Sequence, residues 1–181
     1  AVIEEGNVLL TACPGSGKTR ALTYKIAYEL ERLTNSKKII IAVTFTNRAA
    51  DEIKKRIREL NTDDTNLWAG TIHSFCLEWI LRPYMCYLDE LKNGFSISDE
   101  YNSENLMSEL KKTYGLNFWD SVSTKYLPNG EKEEVVYREL LDEYHETLAS
   151  KKLIDFDQIL HYAHQLILAY PKISEILKNM F

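Results

Sequence analysis

The stretch VLLTACPGSGKTR, residues 8–20, predicts the fold of the chain. Its first four residues, 8–11, are apolar or β-branched and are typical of a short buried strand. A loop with two glycines and a proline follows, and Lys18 and Thr19 then open a segment with apolar residues at helical spacing. A strand, a glycine-rich loop, Lys-Thr and a helix form the layout of a phosphate-binding loop. We therefore expect this stretch to hold the phosphates of a nucleotide.

Each part of this loop has a physical role in holding a phosphate. Glycines let the backbone fold tightly, so that several N–H groups point at one phosphate, and the helix N-terminus adds partial positive charge. We expect Lys18 to contact the β- and γ-phosphates and the Thr19 hydroxyl to hold Mg²⁺. Ala12 stands where the strict pattern has glycine, and alanine fits there if its φ is negative. A chance loop between a strand and a helix is the alternative reading.

The composition restricts the class of protein. The chain has 181 residues, enough for one domain or for one domain that carries a sub-domain. It lacks an apolar run near 18 residues, so we expect no membrane span, and its acidic N-terminus has no signal-peptide layout. Three cysteines without metal-ligand spacing indicate reduced thiols, and we expect a cytoplasmic protein.

Charge is distributed unevenly along the chain. The net charge of −5 argues weakly against a nucleic-acid partner. Residues 1–82, however, hold 12 basic and 10 acidic side chains, whereas residues 83–181 hold 10 and 17. Contacts with a phosphate backbone are therefore expected from the first half of the chain.

Strands alternate with helices in that first half. The run IIIAVTF, residues 39–45, predicts a strand buried on both faces of a parallel sheet. A one-sided helix follows near 48–60, a weaker strand is predicted at 67–73, and a helix follows at 74–81. Together with the strand at 8–11, this order predicts an α/β fold in which helices flank a parallel sheet.

The second half has a different texture. Strand-like runs stop near residue 84, and helical spacing predicts helices at 102–114, 131–150 and 156–169, with a last helix from Pro171. We expect Asp155 to cap the third of these helices. Residues 86–149 are interpreted as an inserted helical sub-domain between a core at 1–85 and a return to that core at 150–181.

Two further stretches narrow the function. VTFTNRAADEIKKRI, residues 43–57, leaves the C-terminal end of a predicted strand, where an exposed Phe45 could stack on a base beside polar and basic neighbours. A buried core phenylalanine followed by a solvated basic helix is the alternative, which composition alone favours. GTIHSFC, residues 70–76, places Thr71, His73 and Ser74 at another strand end as possible donors, although a lone histidine is usually structural.

These stretches together resemble the UvrD/Rep-like superfamily 1 DNA helicases. ACPGSGKTR is similar to the nucleotide motif of that family, including alanine in place of the first glycine. TFTNRAADEIKKRI and AGTIHSFC resemble its two motifs along single-stranded DNA, and KLIDFDQIL, residues 152–160, resembles a stretch where the chain returns from the helical insertion. The four matches follow the order of the family, and only residues 86–149 match in texture more than in sequence.

The resemblance implies a RecA-like P-loop NTPase core and an ATP-driven translocase that moves 3′ to 5′ on single-stranded DNA and opens a duplex junction. It implies ATP and Mg²⁺ as cofactors, Thr19 as the Mg²⁺ ligand, Lys18 and Thr19 as catalytic residues, and Arg20 against the adenine. The nucleotide-binding residues would be Ala12, Pro14, Gly15, Ser16, Gly17, Lys18, Thr19 and Arg20. The residues facing DNA would be Phe45, Thr46, Asn47, Arg48, Thr71 and His73.

The resemblance also implies catalytic elements of the family that are absent from these 181 residues. Its Mg²⁺-binding and water-activating carboxylates end a strand that comes later in the order of the family, as do its arginine fingers and second motor domain. Asp142-Glu143 imitates that motif, but helical spacing places the pair on a helix, and Asp155 and Asp157 follow too short an apolar run. We therefore expect a fragment of a helicase that needs the remaining domains of its parent and hydrolyses ATP poorly by itself.

Two other functions remain open on the sequence alone. A small nucleotide or metabolite kinase would need catalytic arginines in residues 86–149, which hold only Arg138. A non-enzymatic nucleotide-binding module would use the acidic second half as a partner surface. Binding of single-stranded DNA, phosphoryl transfer to a small acceptor, or neither activity would separate the three.

Overall fold

The structure is a computed structural model that describes residues 2–11, 13, 15–34 and 37–181. Its regular elements are helices and short strands in an α/β order. The helices are α1 (Lys18–Arg32), α2 (Asn47–Glu59), α3 (Ile72–Phe75), α4 (Arg82–Tyr84), α5 (Glu100–Thr113), α6 (Arg138–Ser150), α7 (Phe156–Ala169) and α8 (Pro171–Met180). The strands are β1 (Ile40–Thr44), β2 (Leu67–Thr71), β3 (Ser96–Ile97) and β4 (Leu153–Ile154).

The chain divides into two compact units. Unit 1 comprises Ala1–Phe75 and Glu175–Phe181, and unit 2 comprises Cys76–Ser174. The domain ranges expected from the sequence, 1–85, 86–149 and 150–181, stay a prediction. The described residues include no helix that is both long enough and apolar enough to cross a membrane.

Unit 1 is built on the parallel pair of β1 and β2. The two strands pair in register from Ile40 with Leu67 to Thr44 with Thr71. The apolar faces of α1 and α2 cover this pair, and the buried core consists of Ile26, Ala27, Ala42, Ala50, Ile53, Ile57 and Ala69. The predicted strand–helix–strand order over residues 39–73 is therefore confirmed, with boundaries shifted by one or two residues.

Two expectations about the sheet were wrong. Residues 8–11 form no strand, because no strand of the described residues pairs with them, and Leu9 is 89% exposed. β1 is not buried on both faces: Ala42 is buried, whereas Val43 is 49% exposed. The parallel sheet that contains β1 has two strands in the described chain, so one face of β1 lacks the cover that a wider, doubly covered sheet would receive.

Unit 2 is mainly helical, as expected. Its core lies between α5 and α6 and consists of the buried residues Leu110, Leu140, Leu141, Tyr144 and Leu148. β3 and β4 form a second short parallel pair. The predicted helix at 131–150 begins only at Arg138, because the Glu134 carboxylate accepts the N–H groups of Ser123, Val136 and Tyr137 and so holds the preceding segment in a turn.

The predicted helix at 74–81 is also present in modified form. α3 covers Ile72–Phe75, and residues Cys76–Leu81 continue it as a π-helix. Cys76, Ile80 and Leu81 are buried in this segment, which packs against α7. Burial raises the pKa of the Cys76 thiol to about 11, so this thiol stays protonated at neutral pH.

Candidate functional site

The described part of the predicted phosphate-binding loop contains a tight, glycine-dependent turn. Gly15 and Gly17 have φ values of 78° and 86°, in the left-handed region that favours glycine. The backbone N–H of Ser16 donates to the Cys13 carbonyl at 3.2 Å, and the Ser16 hydroxyl donates to the same oxygen at 2.6 Å. Ala12 and Pro14, two of the predicted nucleotide-binding residues, lie outside the described residues.

The N-terminus of α1 faces solvent at the end of this loop. Gly17 is the N-cap residue and has no side chain, so none caps the helix in the described part of the chain. The first turn of α1 carries Lys18, Thr19 and Arg20 and no acidic residue. Free N–H groups and the partial positive charge of a helix N-terminus attract an anion, and here no carboxylate competes.

The Lys18 ammonium folds back over the loop. Its Nζ donates to the Cys13 carbonyl oxygen at 2.7 Å, so the side chain lies above the glycine-rich turn. Thr19 and Arg20 are exposed, and the Arg20 guanidinium lies 5.6 Å from the centre of the Tyr24 ring. The described loop residues therefore place three polar groups around the start of α1: the Lys18 ammonium, the exposed Thr19 side chain, and the Arg20 guanidinium beside the Tyr24 ring.

A cavity of about 320 Å³ borders the same two residues, Lys18 and Thr19, on the apolar side of the loop. Val8, Leu10, Ala21 and Leu22 form its apolar walls. The described residues contain no cluster of three His, Cys, Asp or Glu side chains that could hold a metal ion.

The predicted DNA-facing residues lie at or just after the C-terminal ends of β1 and β2. Phe45, directly after β1, is 98% exposed, which excludes the buried-core alternative for this ring. Thr46 is the N-cap of α2, and its side-chain oxygen accepts the Ala49 N–H at 3.2 Å. Asn47 and Arg48 occupy the first turn of α2 and are exposed.

Hydrogen bonds tie the two strand ends together. The Thr44 hydroxyl donates to the carbonyl oxygens of Thr46 at 2.9 Å and Gly70 at 3.3 Å, and so links the end of β1 to the end of β2. The Thr71 hydroxyl oxygen accepts the Ser74 N–H at 3.2 Å and lies 3.0 Å from the Ser74 hydroxyl. The structure therefore brings Phe45, Thr46 and Thr71 to one edge, but uses Thr46 and Thr71 in local caps. His73 is half-buried in α3.

An aromatic support under β2 was missed at the sequence level. The Trp68 ring covers Gly70, two residues further along the same face of the strand, and a Cβ at Gly70 would lie 2.6 Å from its Cη2 atom. The Phe75 ring packs edge-on against Trp68, with 5.7 Å between centroids, and Phe181 contacts Phe75 at the same separation. A glycine two residues after a tryptophan, Gly70 after Trp68, is the sequence signal for this contact.

The two carboxylate pairs that imitate a hydrolytic motif have structural roles. Asp142 pairs with Lys132, and the Glu143 carboxylate accepts the Tyr114 hydroxyl at 2.9 Å, both from the surface of α6. Asp155 caps α7 in a capping box with Gln158. The Asp157 carboxylate accepts the Thr124 hydroxyl at 2.5 Å. The predicted helical position of Asp142 and Glu143 and the predicted capping role of Asp155 are therefore confirmed, and the strand before Asp155, β4, has only two residues.

Comparison with known proteins gives a consistent picture. Residues 1–125 match the family model of the UvrD/REP helicase N-terminal domain. The chain is 30% identical to the ATP-dependent DNA helicase UvrD1 of Mycobacterium leprae, with all of this chain and 26% of that protein covered. It is 29% identical to the ATP-dependent DNA helicase PcrA of Staphylococcus aureus, with 98% and 27% covered. The chain thus spans about a quarter of the length of these curated relatives.

Proposed function

The chain belongs to the UvrD/Rep helicase family, through its N-terminal domain, and from this premise we propose that it binds ATP with Mg²⁺ and tracks single-stranded DNA. It would do so as the first part of a RecA-like motor domain with an inserted helical sub-domain at residues 86–149. The whole protein would be an ATP-dependent helicase that translocates 3′ to 5′ and opens a duplex junction. The observation that carries the proposal is the shared edge of two paired parallel strands, where exposed Phe45 follows β1 and Thr71 ends β2.

The loop supports nucleotide binding through its open geometry. Apart from its chain neighbours, no described residue has an atom within 4 Å of a Cβ built on Gly15 or Gly17, which supports close approach of a phosphate to the backbone there. Lys18 would exchange its contact with the Cys13 carbonyl for one with the β- and γ-phosphates. Arg20 would lie against the adenine, and Ala12, Pro14 and Ser16 would complete the loop around the phosphates.

Mg²⁺ is supported by a single protein group, the exposed Thr19 hydroxyl. Hydroxyl, phosphate and water oxygens suit this cation, which usually keeps several waters at phosphate sites. Bound there, Mg²⁺ would neutralise charge on the phosphates. Lys18 would bring a second positive charge to the same phosphates, and Thr19 would fix the position of the cation relative to the helix.

DNA binding is supported by the exposed edge of unit 1. Carboxyl ends of parallel strands are the usual ligand-binding edge of α/β folds. Phe45 offers a ring on which a base can stack, Arg48 offers a charge for the backbone, and the other predicted contacts are Thr46, Asn47, Thr71 and His73. Stacking on an exposed ring is tolerant of sequence, as a translocase requires.

We further propose that these 181 residues bind ATP weakly and do not hydrolyse it at the rate of a helicase. In the described residues, the candidate carboxylates lie on α6 or at the start of α7, where they pair with Lys132, Tyr114, Gln158 or Thr124. Lys18 and Thr19 would be the catalytic residues present. Activation of a water requires a carboxylate or an equivalent group beside the γ-phosphate.

Two titrations test the binding proposal. A fluorescent ATP analogue with Mg²⁺ should bind the chain, and Lys18→Ala should weaken that binding about tenfold or more, whereas Lys92→Ala, a lysine of unit 2, should not. Fluorescein-labelled oligo-dT should bind the chain with an affinity that falls as salt concentration rises. Phe45→Ala should weaken this binding by about 1–3 kcal/mol, and Tyr101→Ala is the matched control at another exposed aromatic residue. Equal affinities for Phe45→Ala and the unmodified chain would exclude the proposed DNA edge.

A steady-state assay tests the hydrolysis proposal separately. ATP turnover of the chain with and without oligo-dT should stay near background in both cases. Robust DNA-stimulated turnover that Lys18→Ala abolishes would show that the described residues contain a complete hydrolytic site, and the proposal of poor hydrolysis would then be wrong.

A further inference from the structure

Two adjacent aromatic side chains stand out on the surface of unit 2. Phe118 and Trp119 are 82% and 89% exposed, and their rings meet edge to face with 5.4 Å between centroids. Burying either side chain would contribute about 1.5–3 kcal/mol or more, so their exposure sacrifices stability that the unit could have gained. Exposed aromatic groups of this size are typical of surfaces that bind a partner.

The backbone holds this pair in place. Asn117 and Asp120 close a turn around it: the Asp120 N–H donates to the Asn117 carbonyl at 3.1 Å, and the Asn117 N–H donates to the Asp120 carboxylate at 2.7 Å. The Lys111 ammonium of α5 donates to the Asp120 carbonyl at 2.5 Å and fastens the turn to the helix. The two rings are therefore presented on a pre-organised turn, which lowers the entropy lost on binding.

A groove of about 590 Å³ opens beside this turn, within the size range of ligand sites in proteins. It runs between α5, the segment 116–124 and the start of α7. Its apolar walls are Met107, Leu116, Phe118, Val122 and Phe156. Phe118 thus belongs both to the exposed pair and to the wall of the groove, so one occupant can contact both.

The charges around the groove favour a basic occupant. Glu100 and Glu104 of α5 and Asp157 of α7 line it together with Lys111 and Lys112, so these three carboxyl groups outnumber the two ammonium groups. Asp155 lies deeper, and burial raises the pKa of its carboxyl. Residues 83–181, which include nearly all of unit 2, carry 17 acidic and 10 basic side chains. A nucleic-acid backbone would be repelled by this surface.

We propose that this groove is a docking site for a segment of another protein, one that carries an aliphatic or aromatic anchor beside lysine or arginine. The anchor packs against Phe118 and Met107, and the cation faces Glu104 and Asp157. Trp119, whose ring meets Phe118 edge to face, would shield the Phe118 contact from water, as residues around binding hot spots do. This inference does not depend on the nucleotide or DNA sites of unit 1.

The test uses two fluorescein-labelled model peptides of 14 residues that form amphipathic helices, one of leucine and lysine and one of leucine and glutamate. Anisotropy titrations should show binding of the lysine peptide and none of the glutamate peptide. Phe118→Ala should weaken binding about tenfold, and Tyr101→Ala, an exposed aromatic of α5 outside the groove, should leave it unchanged. Glu104→Lys should weaken it severalfold at low salt, unlike Glu109→Lys on the same helix.

Three results would overturn the proposal. Equal binding by the Phe118→Ala and Tyr101→Ala variants would show that charge alone attracts the peptide. Equal effects of Glu104→Lys and Glu109→Lys would show that the groove is not the site. If Phe118→Ala abolished binding of labelled oligo-dT and Phe45→Ala did not, the groove would be a nucleic-acid surface instead. Far-UV circular dichroism of each variant confirms that unit 2 remains folded.

Discussion

Replacing Gly70 by alanine tests the packing that supports the second strand of unit 1. Gly70 is buried in β2 directly before Thr71, and its missing side chain leaves the space that the Trp68 ring occupies. An added Cβ would meet three atoms of that ring at 2.6, 2.7 and 3.3 Å. The ring cannot move freely, because Phe75 packs against it edge-on.

The expected loss follows from two opposing effects. Overpacking of this kind costs about 1–3 kcal/mol, since the ring or the strand must shift. Alanine also restricts the unfolded chain more than glycine does, which returns about 0.4–1 kcal/mol at a position of ordinary φ. The opening free energy of β1 and β2 should therefore fall by about 1–2 kcal/mol, and Thr71 should be displaced from the Ser74 contact.

Amide hydrogen exchange gives this opening free energy, measured by mass spectrometry on peptides that cover β1 and β2. The measurement does not require the whole chain to unfold in one step. The control is a double-mutant cycle with Trp68→Leu, which removes the obstructing ring. In that background Gly70→Ala should be neutral or slightly stabilising. An equal loss with and without the Trp68 ring would refute the steric explanation, and no loss in either would show that β2 adapts freely.

Three further outcomes follow from local contacts. Thr46→Ala removes the acceptor of the Ala49 N–H and should lower the stability of α2 by about 1 kcal/mol in hydrogen exchange, whereas Thr46→Ser should retain it; equal losses would argue against the cap. Burial lowers the pKa of His145 to about 4. Between about pH 6.5 and pH 4, this imidazole is therefore protonated in the unfolded chain but neutral in the folded chain. Urea unfolding of unit 2 should therefore lose up to about 3 kcal/mol between pH 6.5 and 4, and His145→Gln should flatten that slope; an unchanged slope would exclude this histidine as its source. Asp155→Ala disrupts the capping box with Gln158 and should lower the melting temperature of unit 2 through a loss of about 1–2 kcal/mol, which Asp155→Ser should partly recover; a melt unchanged by alanine would contradict the cap.

Much of the local structure could be predicted because short-range rules govern it. The capping of α7 by Asp155 and the helical position of Asp142 and Glu143 depend on spacing and side-chain type within a few residues. The strand at 39–45 was recognised from its β-branched run, and β1 covers its centre. The exposure of Phe45 was proposed from its place after a strand, against the reading that composition alone favoured.

The failures occurred where the outcome depends on distant partners. An apolar run such as residues 8–11 becomes a strand only if another strand pairs with it, and composition contains no information about that pairing. The start of α6 depends on the Glu134 carboxylate, which accepts a bond from Ser123, eleven residues earlier in the chain. At the site, the motifs located Lys18 and Thr71, but not the contacts of Lys18 with Cys13 or of Thr71 with Ser74.

The uncovered segment at residues 8–11 has a practical consequence for work with this polypeptide. An exposed apolar run that no strand of the described residues covers is a template for self-association, since chains can pair edge to edge through it. Concentrated samples should therefore become turbid and sediment faster as concentration rises. Leu9→Lys places a charge at the centre of the run and should keep the sample clear, while leaving every loop residue from Gly15 to Arg20 in place for nucleotide titrations.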